Sequence, residues 1–384
     1  MKIIFIVKSF AMKAGVERIM SDKMNYLAEK GHKITLITYE QGDHPFSFSL
    51  HPSIKHQDLD TRLFTLKKFQ IARRIIEIVK LKKVFKKRLQ KVVDTIHPDI
   101  INVTTYSLNL ADCILDIKTN AKRTIESHIS YDSILKENDF RQNPLLRLLA
   151  KLYDHNTLKK VKQFDAFFAL TQGDANLWKQ HTQKIHIIPN AVTLYPETIK
   201  SHKDPYHRII CAGRLDPQKG FDLLIKAFAL LSNNYPEWHI DIFGNGAHEQ
   251  NLRDLITEKK LDNQIFIHPA SDHIFEEFQT SDFFVFSSRY EGWGLVLVEA
   301  MACGIPAVSF RCNYGPEDII THKKDGLLVK NGDIHDMAEK IRWMIEHPIE
   351  RFQMGLAARE SSKRFKKDVI VEQWLQILSS LMVN

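Results

Sequence analysis

Residues 283–310 read F-F-V-F-S-S-R-Y-E-G-W-G-L-V-L-V-E-A-M-A-C-G-I-P-A-V-S-F. The apolar run Phe283–Phe286 predicts a buried strand, and a polar, glycine-containing turn follows it. A helix is expected from about Gly294 to Cys303, then a second strand over Ala307–Phe310. The start of such a helix presents unpaired backbone N–H groups and the positive end of its dipole, which suits an anion. Gly292 and Gly294 let the backbone approach a ligand with no Cβ in the way. Glu291 lies just before the helix and Glu299 inside it. Were both helical, their eight-position spacing would set them ~12 Å apart. That exceeds the ~5–9.5 Å of a glycosidase carboxylate pair and suits two contacts on one extended ligand. A solvent-exposed helix-start glutamate with an incidental second one is the plainer alternative.

Working outward, the same alternation continues in both directions. Strands are predicted at Arg208–Ala212, His239–Phe243, Gln264–Ile267 and Leu327–Val329, with helices near 220–233, 247–260, 333–347, 350–364 and 367–382. Upstream, strands are expected at Ile3–Val7, Lys33–Thr38, Asp99–Val103, Arg123–Ser127, Ala166–Leu170 and Ile185–Ile188. Helical patterns fall between them near 16–29, 66–96, 107–116, 144–160 and 173–180. Strands alternating with helices argue for parallel sheets covered on both faces. The chain is therefore read as α/β, with two doubly wound Rossmann-like domains facing a cleft. The first spans 1–193, a polar linker 194–206 carries Pro196 and Pro205, the second spans 207–365, and a last helix occupies 366–384. Ligands are expected at the carboxyl ends of strands and in the cleft.

Composition narrows the class. At 384 residues, 44% hydrophobic and 26% charged, the chain has the make-up of a globular protein. No stretch reaches the ~18–20 apolar residues of a membrane span, and M-K-I-I-F-I-V is too short for a signal-peptide core, so a cytoplasmic location is expected. Cys113, Cys211, Cys303 and Cys312 lack C-x-x-C spacing, which points to neither a zinc site nor a disulfide framework. No G-x-G-x-x-G occurs; the turn after the first strand, K-S-F-A-M-K-A-G-V-E-R, has the single glycine Gly15. A dinucleotide oxidoreductase thereby loses its main support.

The second chemical constellation is A-G-R-L-D-P-Q-K-G, residues 212–220. Arg214 and Lys219 sit on a loop shaped by Pro217 and Gly220, at the mouth of a helix. Guanidinium and ammonium groups there can neutralise a diphosphate leaving group, the main electrostatic need of glycosyl transfer. Two solvated surface cations would read the same in isolation.

Together these motifs resemble the retaining glycosyltransferases of family 4, which have the GT-B fold, and in particular those that build bacterial surface polysaccharides. The matching pieces are G-R-L-D-P-Q-K-G, F-G-N-G-A-H-E (243–249), E-G-W-G-L-V-L-V-E-A-M-A-C-G-I-P, Y-G-P-E-D-I-I (314–320) and D-G-L-L-V (325–329), with I-P-N-A-V (188–192) a weaker one. The resemblance implies a hexosyltransferase with a nucleotide-sugar donor, a UDP-sugar for preference, and a glycan or lipid-linked acceptor. It also implies that the first domain binds the acceptor, the second the donor, and that the last helix, 366–384, crosses back to the first domain. It implies that Arg214 and Lys219 grip the donor diphosphate and that Glu291 contacts the transferred sugar. The amides of Gly294, Leu295 and Val296 would support sugar and phosphate, and Glu299 the ribose. Gly15 would face the donor phosphates across the cleft, although Ala14-Gly15 stands where relatives often have two glycines. His128, in T-I-E-S-H-I-S, matches a histidine near the reacting sugar. A same-face mechanism is implied, in which the departing phosphate accepts the acceptor's proton.

Three further features are weighed. Asp58-Leu59-Asp60 spells the aspartate pair of metal-dependent glycosyltransferases, but three-residue patterns arise by chance, and no metal and no cofactor beyond the donor are expected. The 66–96 segment is amphipathic and strongly basic; it is either an ordinary helix with a solvated face or a contact for an anionic membrane surface. Leu145, Leu146, Leu148 and Leu149 could add a second contact. Nucleic acid is not expected, since no nucleic-acid module accompanies the charge. A GT-B sugar-nucleotide epimerase and a non-catalytic sugar-nucleotide or membrane-binding protein remain the alternatives.

Overall fold

The computed structural model describes residues 1–12, 14–63, 65, 71–131, 134, 147–199 and 206–383. Residues 66–70 of the basic segment, Leu145, Leu146, Pro205 and the side chains of Leu148 and Leu149 lie outside this description. The chain divides into two compact units, Met1–Pro189 with Lys367–Asn384, and Asn190–Lys366.

Unit 1 is built on seven parallel strands: β1 (Lys2–Val7), β2 (Lys33–Thr38), β3 (Lys55–Asp58), β4 (Ile100–Thr104), β5 (Lys122–Glu126), β6 (Ala166–Ala169) and β7 (Ile185–Ile187). Their order across the sheet is β3-β2-β1-β4-β5-β6-β7. Ile3 of β1 registers with Ile34 on one side and Ile100 on the other. The inner strands β1, β2, β4 and β6 are largely apolar because helices cover both faces: α1 (Gly15–Glu29), α2 (Ile71–Ile96), α3 (Ala111–Leu115), α4 (Arg147–Lys159) and α5 (Gln172–Trp178). Ile4, Ile6, Ile101 and Val103 pack in one core with Phe85 and Leu89 of α2. β3 was not anticipated from the sequence. Its Lys-His-Gln-Asp lacks an apolar face because it is the sheet edge, where polar side chains are tolerated.

Unit 2 carries six parallel strands: β8 (Arg208–Ala212), β9 (His239–Phe243), β10 (Ile265–His268), β11 (Phe283–Phe286), β12 (Ala307–Phe310) and β13 (Gly326–Val329). Their order is β10-β9-β8-β11-β12-β13. The helices are α6 (Phe221–Ala229), α7 (Glu249–Glu258), α8 (Ile274–Gln279), α9 (Leu295–Ala302), α10 (Pro316–Ile319), α11 (Ile334–Glu346) and α12 (Pro348–Ser362). Ile209, Ile240, Val285 and Val308 bury against Leu224 and Phe228 of α6 and Met337 and Ile341 of α11. Two parallel doubly wound sheets are the GT-B architecture.

One stretch sits differently from the sequence boundaries, while the last helix goes where the resemblance put it. Asn190–Thr193 goes with unit 2, because the Val192 N–H donates to the Phe365 carbonyl at 2.8 Å and Thr193 Oγ1 to Glu299 at 2.5 Å. The final helix, α13 (Lys367–Val383), goes with unit 1. It buries Trp374 against Phe5 and Phe168, with ring centroids 5.9 and 6.0 Å away.

Candidate active site

In unit 2 the predicted residues gather where strand order reverses. β8 and β11 are neighbours, but the chain runs outward from β8 to β9 and β10, and from β11 to β12 and β13. In open α/β sheets the loops leaving the carboxyl ends of two such strands are where ligands bind. Here they are residues 213–220 and 287–294, and hydrogen bonds join them. The Arg289 N–H donates to the Gln218 carbonyl at 2.8 Å, Ser287 Oγ to the Lys219 carbonyl at 2.8 Å, and Gln218 Nε2 to the Tyr290 carbonyl at 2.9 Å.

Local chemistry aims Lys219. Asp216 opens a single 3₁₀ turn, Pro217–Lys219, and its Oδ1 accepts from the Lys219 N–H at 3.3 Å. Gly220 then reverses the chain at φ +63°, where a Cβ would overlap the Ser287 carbonyl oxygen. The result is that Lys219 Nζ lies 2.6 Å from Glu291 Oε1, and the same oxygen accepts from Ser288 Oγ at 2.7 Å. Both members of the pair are nearly buried. Burial pushes the neighbouring Cys312 thiol up to about 12, with the Glu291 charge adding to the effect and Lys219 opposing it. That thiol is inert.

Arg214 shares the loop and not the pair. Its side chain is 72% exposed, 3.2 Å from Asp216 Oδ2, and donates to Gln218 Oε1 at 3.2 Å. F-G-N-G-A-H-E holds the base of this loop through backbone bonds from Gly213 N–H to the Phe243 carbonyl and from Leu215 N–H to the Asn245 carbonyl, both 3.0 Å. The contact is so close that a Cβ on Gly244 would overlap the Gly213 carbonyl oxygen. This scaffolding role of the motif was not legible from sequence.

Gly294 caps α9 at φ +105°, and the Leu295 and Val296 amides in its first turn have no intrahelical acceptor. Glu299 follows in the next turn, held by Thr193. Glu291 lies in the loop outside α9, so a helical rise does not set its distance from Glu299.

Gly15 and His128 belong to unit 1. Gly15 begins α1 after β1, and a Cβ there would meet nothing within 4 Å. His128 is buried just past β5, its Nε2 3.2 Å from Glu126 Oε2, and neither ring nitrogen makes a well-formed hydrogen bond. Glu126 Oε2 also takes Lys23 Nζ at 2.7 Å, and its Oε1 accepts from Asn102 Nδ2 at 2.9 Å. Burial alone would raise the Glu126 carboxyl, but the Lys23 ammonium and His128 outweigh it and hold it down to about 2. Glu17, in the first turn of α1, faces the same histidine; burial raises its carboxyl, while its own backbone amide and His128 pull the other way. Sequence reasoning missed Glu126, Lys23 and Glu17. The available signal was the two-residue spacing of Glu126, the last residue of β5, and His128 just beyond it.

The aspartates of Asp58-Leu59-Asp60 are occupied in a turn. Asp58 Oδ1 accepts from Thr38 Oγ1 at 3.0 Å and Oδ2 from the Gly42 N–H at 2.9 Å, while Asp60 pairs with Arg62 at 2.5 Å. Among the described residues no group of three His, Cys, Asp or Glu is placed to hold a metal, and no helix is long and apolar enough to cross a membrane.

Comparison with known proteins follows the two units. Residues 14–194 match the model of Glycosyltransferase Family 4, and residues 197–361 that of Glycosyl transferases group 1. An uncharacterized glycosyltransferase of Haemophilus influenzae is 28% identical over 381 residues, 98% of this chain and 99% of its own length. The poly(ribitol-phosphate) alpha-N-acetylglucosaminyltransferase of Staphylococcus aureus is 31% identical over 190 residues, 47% of this chain and 38% of its own. HepE of Anabaena, solved in complex with UDP, superposes with a TM-score of 0.74 at 19% identity, covering 99% of this chain and 100% of that one. With both units matched and the fold shared, the chain belongs to the family 4, group 1 glycosyltransferases of GT-B fold.

Proposed function

We propose that this glycosyltransferase is a retaining hexosyltransferase that uses a UDP-sugar, needs no metal, and extends a glycan or lipid-linked saccharide of a bacterial surface polymer on the cytoplasmic side. The observation that carries the reading is the Lys219–Glu291 pair, set beside the start of α9 at the β8/β11 switch. Arg214, Lys219 and the amides of Gly294, Leu295 and Val296 supply positive potential for a diphosphate without a cation. The UDP complex of HepE and the polyol-phosphate acceptor named for the Staphylococcus relative support the donor and acceptor classes.

In this reading the bond between the anomeric carbon and the β-phosphate oxygen breaks, and an acceptor hydroxyl oxygen bonds to the same face. The hydroxyl proton passes to the departing phosphate. Glu291 accepts hydrogen bonds from the sugar; its Oε1, already taken by Lys219 and Ser288, is poorly placed to attack. Glu299 binds the ribose hydroxyls, Gly15 leaves room for the donor phosphates, and His128 donates to the sugar from its buried position. Incubating the protein with a panel of nucleotide sugars tests the reading. UDP release with an α-linked product, unchanged by a chelator, is expected. Release of a different nucleotide, an inverted product, an epimerised free sugar, or loss of activity on chelation with rescue by manganese refutes the corresponding element.

A further inference from the structure

Helix α2 holds nine lysines and arginines against two acidic residues, a net of +7 where the whole chain has +8. Nearly all of the excess positive charge is thus on one 26-residue helix. Its inner face is settled: Phe85, Leu89 and Val92 are buried in the core of unit 1. At about 100° per residue, Ile76, Val79, Lys80, Lys83, Val84 and Lys87 all fall on the opposite side, within an arc of about 140°. An ordinary solvated face carries apolar side chains only singly and scattered. Here Ile76, Val79 and Val84 are 56%, 50% and 36% exposed, interleaved with lysines. Lys83 and Lys87 have no ion-pair partner among the described residues, although acidic side chains occupy Lys80 and Lys86.

We propose that this outer face of α2 docks the protein on an anionic phospholipid bilayer. The lysine ammonium groups meet the lipid phosphates while Ile76, Val79 and Val84 enter the boundary between headgroups and acyl chains. Charge selects the surface, because each cation near an anionic leaflet adds attraction within a Debye length. The apolar residues distinguish this face from a nucleic-acid site, which would want hydrogen-bond donors and stacking rings at those positions and not exposed aliphatics. The inference is independent of the donor and of the transfer chemistry.

The test is cosedimentation of the full chain with vesicles of equimolar phosphatidylglycerol and phosphatidylcholine, against vesicles of phosphatidylcholine alone. Binding to the anionic vesicles only, weakening with salt, is expected. Lys83→Glu/Lys87→Glu should lower the partition coefficient by at least about 30-fold, from roughly 1 kcal/mol for each cation removed. Ile76→Ser/Val79→Ser should weaken binding with unchanged salt dependence. Both pairs point outward, and circular dichroism checks that the variants remain folded. Val79→Trp gives a second readout, a blue-shifted emission on anionic vesicles. Equal binding to both vesicle types, wild-type binding by the lysine variant, an unshifted Val79→Trp spectrum, or retention on RNA without vesicle binding would each overturn the proposal.

Discussion

Glu291→Gln separates the two jobs assigned to the loop pair. Glu291 Oε1 accepts from Lys219 at 2.6 Å and from Ser288 at 2.7 Å, so the carboxylate would compete for the ammonium proposed to grip a diphosphate. A charge-assisted hydrogen bond contributes about 1.5–3 kcal/mol and a neutral one about 0.5–1.5 kcal/mol. The neutral amide therefore loosens the tether on Lys219 by about 1–1.5 kcal/mol, which allows UDP to bind up to about tenfold more tightly. If Glu291 also orients the sugar in the transition state, turnover should fall by about 10²–10³, the usual effect of deleting one positioned transition-state contact. Calorimetric titration with UDP and steady-state UDP release measure the two quantities on the same preparation. Near-normal turnover would refute a role on the sugar. UDP affinity that drops in step with turnover would mean that the glutamate merely scaffolds the lysine.

Arg214→Ala should leave stability within about 0.5 kcal/mol, because the side chain is largely solvated, yet weaken UDP by at least about tenfold in titration. Gly220→Ala forces a Cβ into the Ser287 carbonyl at a positive φ; a cost of about 1–3 kcal/mol and loss of the UDP-induced rise in thermal midpoint are expected. Glu126 has a folded carboxyl held at about 2, below its ordinary 4.5. Its stabilising contribution, about 3 kcal/mol by linkage, is complete above pH 4.5 and is lost as pH falls through about 2. Denaturation midpoints measured across that window should fall in the wild type and vary less in Glu126→Gln. The variant should also be destabilised by about 3–5 kcal/mol at neutral pH, because Lys23 is left buried without its partner.

Much of the fold could be read from the chain because burial writes a local period. The strands at Lys33–Thr38, Arg208–Ala212, His239–Phe243 and Ala307–Phe310 stand where their apolar runs stand, since a strand covered on both faces is largely apolar along its length. The placement of A-G-R-L-D-P-Q-K-G and of the 287–308 segment was legible too, because each is a contiguous strand-end loop at a helix start. β3 escaped notice because an edge strand needs no apolar run.

The sequence alone thus determined the two doubly wound layers and the strand-end loops on which the proposed site is built. Tertiary structure alone decided which loops meet. Lys219 and Glu291 are 72 residues apart, and Lys23 and Glu126 are 103 apart. They touch because β8 lies against β11 in one sheet and Lys23 of α1 reaches Glu126 at the end of β5 in the other, and strand order is a property of the whole packed sheet that no local run of residues encodes.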